Sequence, residues 1–323
     1  MSSEVIGIDL GGTKIATAAL RDRRLGESLI QPTELDSTDG LIEQLAGMVD
    51  KVRSDDLAAV GIGVPSVVEF ATGRVVSSIN IPLANVPLRE VLGERVGVPV
   101  FVDNDATVAA LAEAHDDALA LVARNLIMIT LGTGVGGGIV LGGRIFRGAT
   151  GGAGEFGHTV IGLDIDSSVP TPEGFPHRGS LEALAAGRAL DHLSQAIAER
   201  SPDSELGRLH AAGKPVTGVE AVAAAQDGDE AATRAVHLWA ERVGIGIANA
   251  INTFDPEEVV LGGGGSLAGD LLLEPARRVA HSYVHPGLGA HTTVRLARHG
   301  VRAGVLGAAL LAAHELDAQE TRS

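Results

Sequence analysis

The sequence predicts an α/β fold built as two related lobes, and three observations carry that expectation. A strand, a glycine turn and a second strand open the chain over Val5 to Ala19 and recur over Leu126 to Leu141. Around these copies, short apolar runs alternate with longer segments of helical period, which is a mixed β/α order. At 323 residues the chain also exceeds the size at which one hydrophobic core stops growing.

The elements follow in chain order. Val5, Ile6 and Ile8 precede Gly11-Gly12, and alternation resumes through Ile15, Thr17 and Ala19, so two strands flank a turn. In the second copy Leu126 to Ile129 leads into Gly132 to Gly138 and then Ile139-Val140-Leu141; aligning Gly11 with Gly132 sets Asp9 on Thr130. Ala59 to Val64 and Val98 to Val102 read as short buried strands, and Ser37 to Arg53 and Ala106 to His115 as helices. Further on, Leu181 to Arg200 and Asp229 to Asn252 are the clearest helical stretches, the second followed by the strand Val259 to Leu261 and Gly262 to Gly265. Gly162 to Arg178, rich in Pro, Ser and Asp, is a loop that needs an anchor. A last helix, Val305 to Leu316, carries Ala and Leu on most faces and packs on a lobe. The expected division gives a small lobe of residues 1–117 with 304–323 and a large lobe of 118–303.

Composition excludes several classes. The 41 acidic against 25 basic residues give a net charge of −16, which repels a phosphate backbone and argues against nucleic acid as a partner. With no cysteine there is no disulfide framework, no thiolate zinc site and no thiol catalysis. Met1 to Glu4 lacks a basic stretch and runs straight into the first strand, so no signal peptide is read. No run reaches the roughly 20 apolar residues of a membrane span, and the expectation is a soluble cytoplasmic protein with no membrane partner.

Three glycine turns each follow a strand: Asp9-Leu10-Gly11-Gly12-Thr13-Lys14, Gly132-Thr133-Gly134, and Gly262-Gly263-Gly264-Gly265. Backbone N–H groups hold phosphate oxygens where no Cβ obstructs approach, and glycine also reaches the positive φ of tight turns. Plain turn chemistry explains any one of them; three at strand ends in one chain point to a nucleotide. The P-loop pattern is absent, and a dinucleotide fingerprint would open a helix where period-2 strands follow here. Asp9, ending the first strand, could hold a nucleotide's magnesium directly or through water, and equally could cap the turn.

Asp103-Asn104-Asp105 stands between a strand and a helix, where one such residue serves as N-cap and the others are left to face a crevice. A carboxylate there could accept the proton of a hydroxyl attacking a phosphoryl group. Glu155 and His158, three apart, could converge on a small polar ligand, while Glu182 behind Ser180 has the pattern of a first-turn acid behind an N-cap.

In order, Asp9-x-Gly-Gly-Thr13-Lys14, Asn104-Asp105, Leu131-Gly-Thr-Gly-Val-Gly-Gly-Gly138, Glu155-Phe-Gly-His158, Gly179-x-x-Glu182 and Val260-Leu-Gly-Gly-Gly264 resemble the ROK family of bacterial sugar kinases, from about residue 5 to 310. The resemblance implies a two-lobed actin-like ATPase (ribonuclease H-like) fold and an ATP- and Mg2+-dependent hexose kinase acting on the 6-hydroxyl of glucose. It implies Asp105 as catalytic base and Asn80, Asn104, Asp105, Glu155, His158 and Glu182 as sugar contacts. The nucleotide falls to Asp9, Gly11, Gly12, Thr13, Lys14, Gly132, Thr133, Gly134, Gly262, Gly263 and Gly264, with Asp9 toward the metal. A homodimer or homotetramer is implied. N-acetylmannosamine, fructose or allose as substrate, polyphosphate as donor, and a non-catalytic sugar or nucleotide sensor are the alternatives; a repressor of this family would need a DNA-binding module ahead of the first strand.

Two departures stand out. Where many members carry three cysteines that bind zinc together with a histidine, this chain has Glu173, Phe175 and Ser180, so no structural zinc is expected even with His177 near His158. In Gly63-Val64-Pro65-Ser66, the family usually has Gly at the place of Ser66.

Overall fold

A computed structural model describes residues 4–78, 80–162 and 176–321. By internal contacts these form two compact units, one of residues 1–128, 138–154 and 298–323, the other of 129–137 and 155–297. The small lobe expected from sequence lies wholly inside the first unit, which also takes 118–128, 138–154 and 298–303.

In chain order the first unit begins with strands β1 (Glu4–Leu10), β2 (Lys14–Arg21), β3 (Arg24–Leu25) and β4 (Leu29–Pro32), then helix α1 (Thr38–Val52) and β5 (Leu57–Val64). The hairpin β6 (Val67–Glu69) and β7 (Arg74–Ser77), helix α2 (Leu88–Val96), β8 (Val100–Asn104) and α3 (Asp105–Glu113) follow. The sheet order is β3-β2-β1-β5-β8, with β4 also on β2. β1 pairs antiparallel with β2 but parallel with β5, and β5 parallel with β8, so the carboxyl ends of β1, β5 and β8 share one edge. Ile6, Ile8, Ile62, Val64 and Val102 bury one core against Leu41, Leu45 and Met48 of α1.

Strands β9 (Leu126–Leu131), β10 (Val135–Leu141) and β11 (Arg144–Ile145) repeat the opening pattern, and the division between units passes through β9 and β10. Helices α4 (Leu181–Ala185), α5 (Gly187–Arg200), α6 (Glu205–Ala211), α7 (Gly218–Gln226) and α8 (Glu230–Phe254) precede β12 (Glu258–Gly262), α9 (Asp270–Tyr283), β13 (Thr293–Leu296) and α10 (Ala303–Glu320). The second sheet has the order β11-β10-β9-β12-β13, with β12 and β13 parallel.

Several expectations shift. The single helix read over 181–200 is broken at Ala186, whose backbone is extended (φ −67°, ψ 167°). The break lets Gly187 begin a new helix with its N–H donated to the Gly132 carbonyl at 2.8 Å. The strand read over 98–102 runs two residues later, because Pro99 has no N–H for the ladder.

Helix α10 returns to the first unit and lies across β1 and β5. A Cβ on Gly7 would overlap the Val305 carbonyl oxygen, one on Gly61 that of Ala308, and one on Gly307 that of Val108 in α3. Glycine at 7 and 61 sets the helix-to-strand distance, and at 307 the distance between α10 and α3. Among the described residues no helix is long and apolar enough to cross a membrane.

Candidate active site

In the first unit, Asp9 ends β1 where the chain must reverse into β2. Gly11 donates its N–H to the Lys14 carbonyl at 3.0 Å, and Thr33 ties the turn down by donating Oγ1 to Gly11 O at 2.7 Å and its N–H to Thr13 O at 3.1 Å. Gly12 needs no Cβ because one would stand 3.2 Å from the Asn80 Cβ, so the turn and Asn80 are neighbours. Thr13 and Lys14 are exposed.

The Asp9 carboxylate rests against the first turn of α10, where a Cβ on Gly304 would lie 2.5 Å from the Asp9 Cγ. Burial, with repulsion from Asp105 added, raises the Asp9 pKa to about 6, against a partial opposing pull from Lys14. Asp9 and Asp105 therefore face one another electrostatically. A half-buried carboxylate that resists ionisation beside a second carboxylate is a donor set suited to a hard divalent cation, which would replace the proton and relieve the repulsion.

The Asp103-Asn104-Asp105 segment divides its labour. Asn104 is the N-cap of α3, its Oδ1 accepting from Ala106 N at 3.0 Å and Thr107 N at 3.2 Å. Asp103, 4% exposed at its side chain, is paired with Arg147 at 2.7 Å, and Arg147 also reaches Glu315 of α10 at 3.2 Å and lies over the Phe70 ring. Burial pushes Asp103 upward in pKa while Arg147 pulls it down. Asp105, first residue of α3, accepts from Ala106 N at 2.7 Å and remains partly exposed. Gly63 of β5 lets α3 pack close behind Asp105, because a Cβ there would lie 2.7 Å from Val108 Cγ2.

In the second unit, Phe156 to His158 form a single 3-10 turn. Phe156 is buried edge-on to Phe254, ring centroids 6.1 Å apart, and Gly157 is pressed on the Val135 carbonyl so closely that no Cβ fits. Those two anchors leave Glu155 and His158 outward, with side chains 58% and 37% exposed and 3.7 Å apart. Ser180 caps α4 by accepting from Ala183 N at 3.2 Å. Glu182 accepts from Val135 N at 2.8 Å, and its Oε2 sits where a Gly134 Cβ would be only 2.5 Å away. The first-turn acid is thus also the clamp of the 132–135 turn.

Gly132 closes that turn by donating to Gly134 O at 2.9 Å while its own carbonyl receives Gly187 N. Trp239 of α8 donates Nε1 to Ala185 O at 2.7 Å and fixes the break before α5. After β12, Gly263 has a positive φ of 75°, and a Cβ on it would lie 2.5 Å from the Leu131 carbonyl oxygen. Among Gly11, Gly12, Gly132, Gly134 and Gly263, only Gly263 has a positive φ; at Gly11, Gly12 and Gly134 a Cβ would crowd Lys14 O, the Asn80 Cβ and Glu182 Oε2 respectively.

The first unit thus brings together Asp9, Gly11, Gly12, Asn80, Asn104 and Asp105, and the second Gly132 to Gly134, Glu155, His158, Glu182 and Gly262 to Gly264. Glu173 and Phe175 lie outside the described residues. Sequence reasoning missed Arg147, Glu315 and Gly304. Their partners lie far along the chain, and no local pattern marks them.

The ROK family model matches residues 5–315. A glucokinase of Halalkalibacterium halodurans is 35% identical over 98% of this chain and 96% of its own. Among solved structures, a ROK family glucokinase from Streptomyces griseus, in complex with glucose and AMPPNP, superposes with a TM-score of 0.77 at 32% identity, covering 97% of this chain and all of that one. A ROK hexokinase from Thermus thermophilus gives 0.75 at 36% identity, covering 98% and 99%.

Proposed function

The chain belongs to the ROK family, with its two-lobed actin-like ATPase fold, and from that premise we propose that it is an ATP-dependent hexose kinase, a glucokinase that transfers the γ-phosphoryl group to the 6-hydroxyl of glucose. The observation that carries the reading is Asp105: a carboxylate at the head of α3, partly exposed, held by its own helix N-terminus and facing Asp9. The glucokinase relative and the glucose- and AMPPNP-bound neighbour supply the substrate class.

In this reading the sugar 6-oxygen forms a bond to the γ-phosphorus as the bond to the bridging oxygen of ADP breaks, and the hydroxyl proton passes to Asp105 Oδ. Phosphoryl transfer needs positioning and charge neutralisation more than covalent participation, and this chain's residues divide along those lines. Asn104 has its Oδ1 committed to the α3 cap and one Nδ2 hydrogen directed at the Ser66 carbonyl, so its second Nδ2 hydrogen is the part offered to the sugar. Glu155 and His158, presented outward by Phe156 and Gly157, and Asn80 beside the first turn bind further hydroxyls; discrimination between epimers follows from hydrogen bonds that a wrong sugar leaves unmade. Glu182 binds sugar through the oxygen not clamped on Val135.

The turns at 11–13, 132–134 and 262–264, whose glycines carry no Cβ, offer phosphate the N–H groups left over after Gly11 and Gly132 have donated within their own turns. Mg2+, held by Asp9 directly or through water, supplies neutralisation of phosphate charge when bound. Asp9 fits that duty because its burial and the nearness of Asp105 leave it short of positive charge. We further expect a homodimer or homotetramer acting in the cytoplasm, where ATP is available.

The test is product identification: phosphorus NMR of incubations with Mg-ATP and each of a panel of hexoses and N-acetylhexosamines, with a no-sugar control. Glucose 6-phosphate with equimolar ADP is the expected product, and nucleotide binding without sugar-dependent turnover is the contrary result.

A further inference from the structure

Ser66 sits two residues past the carboxyl end of β5, on the edge where β8 delivers Asn104. Val64 and Asn104 are register partners in the parallel β5–β8 pair, and Asn104 Nδ2 donates to the Ser66 carbonyl at 3.5 Å. The residue is 8% exposed. Its backbone is committed, with Ser66 N donated to Val64 O at 2.9 Å, yet its side-chain Oγ is buried and has no hydrogen-bond partner. A buried hydroxyl without a partner costs free energy, and native structures keep such groups where a ligand, an ion or a water completes them.

Two further facts bear on Ser66. Thr17, also unpartnered at Oγ1, lies mid-strand in β2 opposite Ile8, inside the core, whereas Ser66 lies past the carboxyl end of β5, the edge of an open α/β sheet at which ligands bind. Ser66 is also not among the residues with left-handed backbone. The turn therefore accepts a side chain without strain, and nothing local requires that side chain to be a hydroxyl.

We infer that Ser66 Oγ is a specificity-determining group that hydrogen-bonds one hydroxyl of the bound hexose beside Asn104. This rests on the kinase reading above. Ser66 supplies one donor and two acceptor positions, enough to exchange a hydrogen bond with a sugar hydroxyl in one orientation and to leave both groups unpaired when that carbon is inverted or deoxygenated. The role is discrimination and ground-state binding, because the group holds no reacting atom.

The experiment compares wild type with Ser66→Ala and Ser66→Gly, using glucose, its monodeoxy analogues and its epimers as substrates. The expected result is a KM for glucose raised about tenfold with kcat kept within about twofold. The decisive readout is positional: wild type disfavours one monodeoxy sugar by about tenfold or more in kcat/KM, and both variants lose that preference at that position alone. The apo variants should melt at or above the wild-type temperature, since an unpaired hydroxyl has been removed, and gain less on adding glucose. Unchanged KM with unchanged discrimination at every position overturns the inference, as does a uniform loss across all analogues or a variant destabilised without sugar. Should Ser66→Ala fail to fold, Ser66→Gly carries the same comparison. If wild type phosphorylates no sugar, it is the kinase reading that fails, which is a separate result.

Discussion

Replacing Asp9 by Asn should make the metal-free protein more stable, which is the reverse of the usual effect of removing a charge-bearing site residue. The Asp9 carboxyl ionises in the fold only at about 6, against an ordinary 3.8, because burial and then Asp105 oppose its charge. An acid whose folded pKa is raised keeps the fold at its most stable while protonated; as pH rises from 3.8 through 6 the unfolded chain releases the proton first, and stability is lost. Above pH 6 the loss is complete and amounts to about 3 kcal/mol at about 1.36 kcal/mol per pH unit. Asn has the same shape, so the contact with Gly304 and the turn into β2 are kept, and its neutrality removes the penalty. The variant should exceed wild type by about 3 kcal/mol at pH 7.5 and by about half that at pH 5. Urea unfolding followed by far-UV circular dichroism is the assay, because Trp239, the sole tryptophan, lies in the second unit and would not report on the first. Added Mg2+ should stabilise wild type and leave the Asn variant unmoved, and the variant should be a poor kinase. An Asn variant no more stable at pH 7.5, or one whose advantage does not change with pH, would refute the account of Asp9 as a charge awaiting a cation.

His314, paired with His115 at 5.5 Å, is held to a pKa of about 4 by burial and then by His115, with Arg144 adding to this and Asp317 opposing it. A base with a lowered folded pKa destabilises the fold as pH drops from 6.5 toward 4, so His314→Asn should flatten the acid limb by up to about 2 kcal/mol at pH 5, measured by urea titration. Gly61→Ala places a Cβ on the Ala308 carbonyl and should cost about 1–3 kcal/mol or more, lowering the melting temperature, while Gly47→Ala in α1, with open space around it, should raise stability by up to about 1 kcal/mol. Glu155→Gln should raise the KM for sugar and leave kcat nearly unchanged; a lowered kcat with unchanged KM would contradict its placement as a binding residue.

Much of the fold was readable because periodicity is local. The two strand–turn–strand copies, α1, α3 and α8 all fall within a few residues of where apolar spacing sets them. Ser37, Asn104, Ser180 and Asp229 cap their helices as their residue types suggest. What could not be read depends on distant partners. Nothing near Ala186 announces that the helical pattern of 181–200 breaks; the cause is the Gly132 carbonyl, which claims Gly187 N, and Trp239, which claims Ala185 O. Gly7 and Gly61 look like weak points in apolar strands, and their purpose appears only when α10 is laid across them. At the candidate site, motif order marked Asp9, Asn104, Asp105, Glu155, His158 and Glu182. The division of Asp103 to Arg147, Asn104 to the cap and Asp105 to a partly exposed place at the head of α3 is a tertiary result. The orphaned hydroxyl of Ser66 was visible in sequence only as an unusual residue, and its burial gives it meaning.

The central claim is that Asp105 takes the proton of an attacking sugar hydroxyl. The measurement that tests it most directly is sugar-dependent ADP release by wild type and Asp105→Ala, paired with calorimetric binding of glucose to each. The account predicts that the variant binds glucose within a few-fold of wild type and loses nearly all turnover. Retention of more than about a tenth of the wild-type kcat, a barrier change under about 1.4 kcal/mol, would contradict it.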